Sequence, residues 1–149
     1  MIFHISLQYV GGAANTVPWD QAPGAVVKAR DFIGTRTSQA IGSRVEFNEV
    51  LSAAYMEDQK MSFHTDDEPG LGPTVAGLSL GSPALMHFRR RGRGPSGKHE
   101  SVLTVVLRHG DVLVMHGNGV QKNYEHTVVP VDFRIAATAR YIDPKRKLK

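Results

Sequence analysis

Three residues far apart in the chain could share one metal ion. Ser62-Phe-His64-Thr-Asp66 sets a His and an Asp two positions apart at the end of a short β-forming run. In extended backbone, residues two apart point to the same face, with Cα atoms roughly 6–7 Å from each other. A third ligand has to come from another strand, and His126, heading the run His126-Thr-Val-Val129, is placed to supply it. Two His and one carboxylate, with the opposite side left open, form the facial set that holds non-haem Fe(II). A pattern as short as HxD…H also arises by chance, so ordinary strand-end residues remain the alternative.

Arg134-Ile-Ala-Ala-Thr-Ala-Arg140 adds a second chemical element. In a strand, Arg134, Ala136, Thr138 and Arg140 share one face, and the two Arg Cα atoms stand roughly 20 Å apart at ~3.3 Å per residue. Long arms leaning inward narrow that gap enough to hold a short dicarboxylate, and the small residues between leave room for it. Two unpartnered guanidinium groups on a buried face would be costly. The alternative has both arginines in solvent, with Ile135, Ala137 and Ala139 packed inward.

The elements that must position these residues read as mostly β. Short β-branched and apolar runs alternate with Gly, Pro and Asp turns over 45–51, 62–64, 74–80, 85–89, 101–107, 111–115, 126–131 and 134–142. That count suggests an all-β barrel or sandwich, and a jelly roll accommodates it. Ala25–Ile33 has apolar residues at helical spacing and predicts one short helix ended by Gly34. Before it, Ile2–Val10 is apolar and 11–24 is rich in turn formers. The expected organisation is an N-terminal extension over 1–46, part helix and part irregular, a core over 47–142, and a basic tail over 143–149.

Composition narrows the function classes. The 149 residues include no Cys, which excludes disulfide scaffolds, thiolate metal sites and Cys nucleophiles. No apolar run approaches the ~20 residues of a membrane-spanning helix, and the opening residues make a poor secretory signal. A soluble intracellular protein, in nucleus or cytoplasm, is expected, and a monomer rather than an obligate oligomer. The formal net charge is +4, with 18 Lys+Arg, but half of those lie in Arg89–Lys98 and Lys145–Lys149. The rest of the chain carries more acid than base. Two basic appendages suit a polyanionic partner or are simply solvated. Gly92–Gly97 matches GxGxxG and Gly92–Lys98 matches GxxxxGK, but an Arg run precedes, Pro95 interrupts and no helix follows, so a hairpin loop is expected there. His4, His87, His99, His109 and His116 are scattered and expected at the surface or core edge.

Taken in order, Phe47-Asn-Glu-Val-Leu51, Tyr55, His64-Thr-Asp66-Asp67-Glu68, the Val75–Gly81 strand VAGLSLG, Phe88-Arg89, the Leu107–Met115 segment LRHGDVLVM, His126 and Arg134-x5-Arg140 resemble the AlkB-type Fe(II)/2-oxoglutarate dioxygenases. The resemblance covers about residues 47–142 and implies a double-stranded β-helix, or jelly roll, with a short N-terminal helix. It implies Fe(II) on His64, Asp66 and His126, with 2-oxoglutarate and O2 as cosubstrates. Arg134, joined by Tyr55, is then expected at the distal carboxylate of 2-oxoglutarate. Arg140 is expected nearer its chelating end, with Thr138 between. Asp67 and Glu68 become candidates for reading the polar edge of a substrate base, a solvated acidic turn being the alternative. Arg89, Arg90 and Arg91 become candidates for phosphate contacts on DNA or RNA.

The implied reaction is oxidative N-dealkylation of alkylated nucleic-acid bases, with 2-oxoglutarate leaving as succinate and CO2 and the alkyl carbon as formaldehyde. A duplex substrate would need its base flipped out. Two alternatives stand beside it: the same chemistry on a protein or small molecule, and a non-catalytic jelly-roll binding protein with a degraded site. Some features depart from the family pattern. Ala53 and Ala136 stand where Asn residues usually bond 2-oxoglutarate, the interval from His126 to Arg134 is short, and residues 1–46 show no recognisable substrate lid. The tail Pro144-Lys-Arg-Lys147 resembles a nuclear import signal, solvated disorder being the alternative.

Overall fold

A computed structural model describes residues 2–4, 16–56, 58–94, 97–143 and 145. The rest of the apolar opening, part of the turn-rich stretch after it, the centre of the Gly92–Lys98 loop and the import-like tail lie outside the described residues. In chain order the elements are β1 (Ile2–His4), β2 (Thr16–Val17), α1 (Gly24–Ile41), β3 (Glu49–Tyr55), β4 (Met61–His64), β5 (Leu71–Gly81) and β6 (Ala84–Arg90). They continue with β7 (Ser101–Leu107), β8 (Val112–His116), α2 (Asn118–Asn123), β9 (Tyr124–Pro130) and β10 (Arg134–Ile142).

Strands β3 to β10 distribute between two sheets. One has the order β2-β1-β3-β10-β5-β8 and the other β4-β9-β6-β7. All pairings of β3 to β10 are antiparallel, and only β1 and β2 run parallel. This is the expected jelly roll. Pairing in register builds its inner wall row by row. Across β3, β10 and β5 the rows are Glu49–Arg140–Val75, Leu51–Thr138–Gly77, Ala53–Ala136–Ser79 and Tyr55–Arg134–Gly81. At the end of the last row, Gly81 has φ +89, and a Cβ there would lie 2.7 Å from the Phe133 carbonyl oxygen. Only glycine meets both demands without strain.

The alternate residues of the same strands face outward and are also buried. Val50, Ala76, Leu78, Ala137 and Ala139 form one core cluster with Ile33 of α1 and Phe47. That is why β10 is buried on both faces, which neither simple alternation of the sequence anticipated. A second cluster, Met86, Phe88 and Leu107 with Val105, Leu113, Met115 and Val128, lies between the sheets.

Two boundaries differ from those expected. α1 does not stop at Gly34 but continues to Ile41, where Gly42 at φ 77 returns its N–H to the Ser38 carbonyl. A helical Gly costs only about 1 kcal/mol, and burial of Ile33 and Thr37 on either side of it offsets that cost. The strand expected over 45–51 is displaced to Glu49–Tyr55, because Ser52, Ala53 and Ala54 pair with Ala137, Ala136 and Ile135 despite their weak strand preference.

Candidate functional site

β4 and β9 pair so that His64 stands opposite His126, and Asp66 follows directly after β4. The result is a cluster in which one ligand atom from each of His64, Asp66 and His126 lies within 4.8 Å of the others. His126 Nε2 is 3.7 Å from Asp66 Oδ2, and the two imidazole centroids are 4.2 Å apart. His64 Nδ1 sits 2.9 Å from the Ser62 carbonyl oxygen, an acceptor, so Nδ1 carries the N–H and Nε2 is the nitrogen left for a metal. Burial, reinforced by the His64 charge, brings the His126 pKa down to about 3, which keeps the ring neutral as a ligand must be. Burial pushes the Asp66 carboxyl up, opposed by the positive charges of His64 and Arg140.

The cluster opens on a cavity between the sheets. Its walls include Leu51, Tyr55, Met86, Leu107, Leu113, Val128, Ser79 and Thr138, and Arg134 lies among them. The Arg134 guanidinium donates from Nη2 to Ser79 Oγ at 2.8 Å and lies 6.0 Å from the Tyr55 ring centroid. Its Nε is buried without a hydrogen-bond partner, and no carboxylate pairs with it among the described residues. A buried cation with an orphaned donor has the chemistry to take an anion.

A family model described as the 2OG-Fe(II) oxygenase superfamily matches residues 6–146. The chain belongs to that superfamily. Curated relatives are of its AlkB type. Alpha-ketoglutarate-dependent dioxygenase alkB homolog 3 of Bos taurus is 33% identical over 115 residues, covering 66% of this chain and 38% of that protein. Alpha-ketoglutarate-dependent dioxygenase AlkB of Escherichia coli is 32% identical over 78 residues, covering 52% and 33%. The chain thus spans well under half the length of these relatives. The solved structure of OsALKBH1 superposes with a TM-score of 0.47 at 21% identity, covering 78% of this chain and 60% of that one. The superfamily implies Fe(II) and 2-oxoglutarate, and the residues present fit both: a His–Asp–His ligand set, and in the same cavity a buried guanidinium with no carboxylate partner among the described residues.

Not every residue expected around an oxygenase centre joins it. Tyr55, Arg134 and Thr138 line the cavity with the His–Asp–His cluster. Arg140 does not. It shares their face, but its guanidinium is taken by Glu49, which stands opposite it on β3, and by Glu68 at 2.5 Å. Glu49 is 1% exposed. A carboxylate buried that deeply holds its cation in place, so Arg140, expected at the chelating end of the cosubstrate, is engaged by the fold as a structural clamp. The same contact engages Glu68. Asp67 pairs with Arg91 at 3.0 Å, both half exposed. Arg89 pairs with Glu125 at 2.7 Å and stacks over Phe63, 3.9 Å from the ring centroid. Of the three arginines expected on phosphates, Arg90 is exposed and carries no ion pair among the described residues.

One residue of the site carries no mark in the sequence. Gln121, on the short helix α2, accepts the Asp66 backbone N–H at 3.1 Å, and its amide nitrogen faces Met115 Sδ at 3.7 Å. It fixes the backbone that presents Asp66. A polar residue in the segment Asn118–Asn123 offers no periodic or motif signal, so only the fold shows it.

Proposed function

We propose that this chain is the core of an Fe(II)/2-oxoglutarate-dependent dioxygenase that removes N-alkyl groups from nucleic-acid bases. The observation that carries the oxygenase reading is the coincidence, in one cavity, of the His64–Asp66–His126 cluster and a buried Arg134 lacking an anionic partner. The nucleic-acid part rests on the AlkB-type motifs and on the basic hairpin Arg89–Lys98, whose exposed Arg90, Arg93 and Lys98 suit phosphates. An intracellular location goes with it. Among the described residues no helix is long and apolar enough to cross a membrane.

When bound, Fe(II) with 2-oxoglutarate and O2 supplies the oxidising power to hydroxylate a C–H bond, chemistry that belongs to the cofactor. The chain does the rest. His64, Asp66 and His126 would hold the metal. Arg134, oriented by Ser79, would pair with the distal carboxylate of 2-oxoglutarate, with Tyr55 beside it in the cavity. Ala53 and Ala136 contribute width in place of hydrogen bonds. Met86, Leu107, Leu113 and Val128 form an apolar wall that excludes water and strengthens every charged contact inside.

The test incubates the chain with Fe(II), 2-oxoglutarate and N-methylated single-stranded oligonucleotides, measuring succinate and formaldehyde. Both are expected, and both are lost in His64→Ala. Because Asp67 and Glu68 are held by Arg91 and Arg140, the second reading is a different substrate for the same chemistry. Succinate without formaldehyde would select it, and absence of both would sink the oxygenase proposal.

A further inference from the structure

The edge strand β7 presents a surface that neither the metal cluster nor the cavity uses. It ends the sheet order β4-β9-β6-β7, so β6 is its one neighbour among the described residues and its other side is unpaired. Val102, Leu103 and Val106 are 45%, 53% and 43% exposed. Ser101–Leu107 contains no charged residue and no Pro. Monomeric proteins usually blunt such an edge with Lys, Pro or a bulge, because open backbone beside apolar β-formers templates another strand. Here the single irregularity in the β6–β7 ladder leaves Val102 without a counterpart, and Leu103–Leu107 stays regular.

We propose that β7 pairs with β7 of a second copy of this chain, antiparallel about a two-fold axis through Thr104. The sequence selects that register. Centred on Thr104, Leu103 falls opposite Val105 of the other copy and Val102 opposite Val106, so apolar meets apolar on both faces. The same register sets Glu100 opposite Arg108 of the other copy, twice by symmetry, and both residues are exposed. Centring on Leu103 instead brings Lys98 opposite Arg108, like against like. Centring on Val105 sets Val102 against Arg108. Only the Thr104 register matches both hydrophobicity and charge. The pairing is isologous, so it uses up both β7 edges and stops at two copies. A single strand pair covers less surface than the roughly 1,200–2,000 Å² of stable complexes. The dimer is therefore reversible.

Sedimentation velocity over a concentration series tests this on the whole chain. A monomer–dimer equilibrium with nothing larger is expected. Val102→Lys with Val106→Lys, at exposed positions, should raise the dimer dissociation constant at least tenfold with an unchanged circular dichroism spectrum. Glu100→Lys and Arg108→Glu should each weaken the dimer, and the two together should restore it. Because the chain has no Cys, Thr104→Cys supplies one thiol that sits on the axis. It gives up the exposed 2.8 Å contact to His87. Facing Cα atoms of an antiparallel pair stand about 4.5–5.5 Å apart, within disulfide range. Oxidation should therefore cross-link Thr104→Cys quickly, and not the equally exposed Val102→Cys, whose two copies would lie ~13 Å apart along the strands. A monomer at every concentration, species beyond the dimer, a charge exchange that fails to restore pairing, or cross-linking without preference for position 104 would each overturn the proposal.

Discussion

At one end of β10, Arg134 is buried in the cavity with a serine as its hydrogen-bond partner and its Nε unsatisfied. At the other end, on the same face, Arg140 is buried between Glu49 and Glu68. The side chain, the strand and the depth are alike, and the neighbours differ. Burial alone makes either charge costly. Arg140 is compensated within the chain, so it stabilises the fold and offers little to a ligand. Among the described residues Arg134 has no carboxylate partner, so its burial carries a cost that a bound carboxylate would offset. Under the proposed function, a buried arginine is open to a ligand only where the described residues supply no counter-charge.

That contrast breaks most visibly at the clamp. Arg140→Met should destabilise the protein by about 3–5 kcal/mol, because it leaves Glu49 in the interior without its arginine. Thermal unfolding should show a fall in Tm on the order of 10 °C. Arg134→Met should do the reverse: Tm unchanged or slightly higher, since a desolvated charge is removed, with 2-oxoglutarate affinity weakened roughly 30-fold or more by calorimetry with the metal present. If both variants lose Tm equally, the two arginines are not the opposites described.

Smaller effects sharpen the picture. Gln121→Ala should weaken metal binding about tenfold, the lower end for residues that orient a ligand from behind, with little change in stability. Smallest of all, Arg90→Ala should leave stability within about 0.5 kcal/mol. It should lower the salt dependence of oligonucleotide binding by about one phosphate contact. An unchanged salt slope would take Arg90 out of the nucleic-acid surface.

The eight core strands are legible because β-branched runs between turn formers carry their period locally. The HxD pair is legible as a spacing, with His64 ending β4 and Asp66 two residues beyond it, just past the strand. β1, β2 and α2 are not, since the two or three residues of β1 and β2 show no alternation and the six of α2 make fewer than two helical turns. The extent of α1 past Gly34 is hidden because tertiary packing of Ile33 and Thr37 overrides local propensity. One clue to the clamp does stand in the sequence: Glu49 is an acid inside the apolar run Phe47–Leu51, where only a buried partner makes it tolerable.

By itself the sequence determined what is set over a few residues: the jelly-roll strand pattern, the metal-ligand spacing, the absence of thiols and the two arginines on one face of one strand. The tertiary structure decided which arginine remains available, that Glu68 serves the fold, and that Gln121 steadies Asp66. The physical reason is separation. Arg140 meets Glu49 across 91 residues of chain and Glu68 across 72, and Gln121 meets Asp66 across 55. Charge compensation depends on which groups the fold brings within a few ångströms, and no local pattern encodes that.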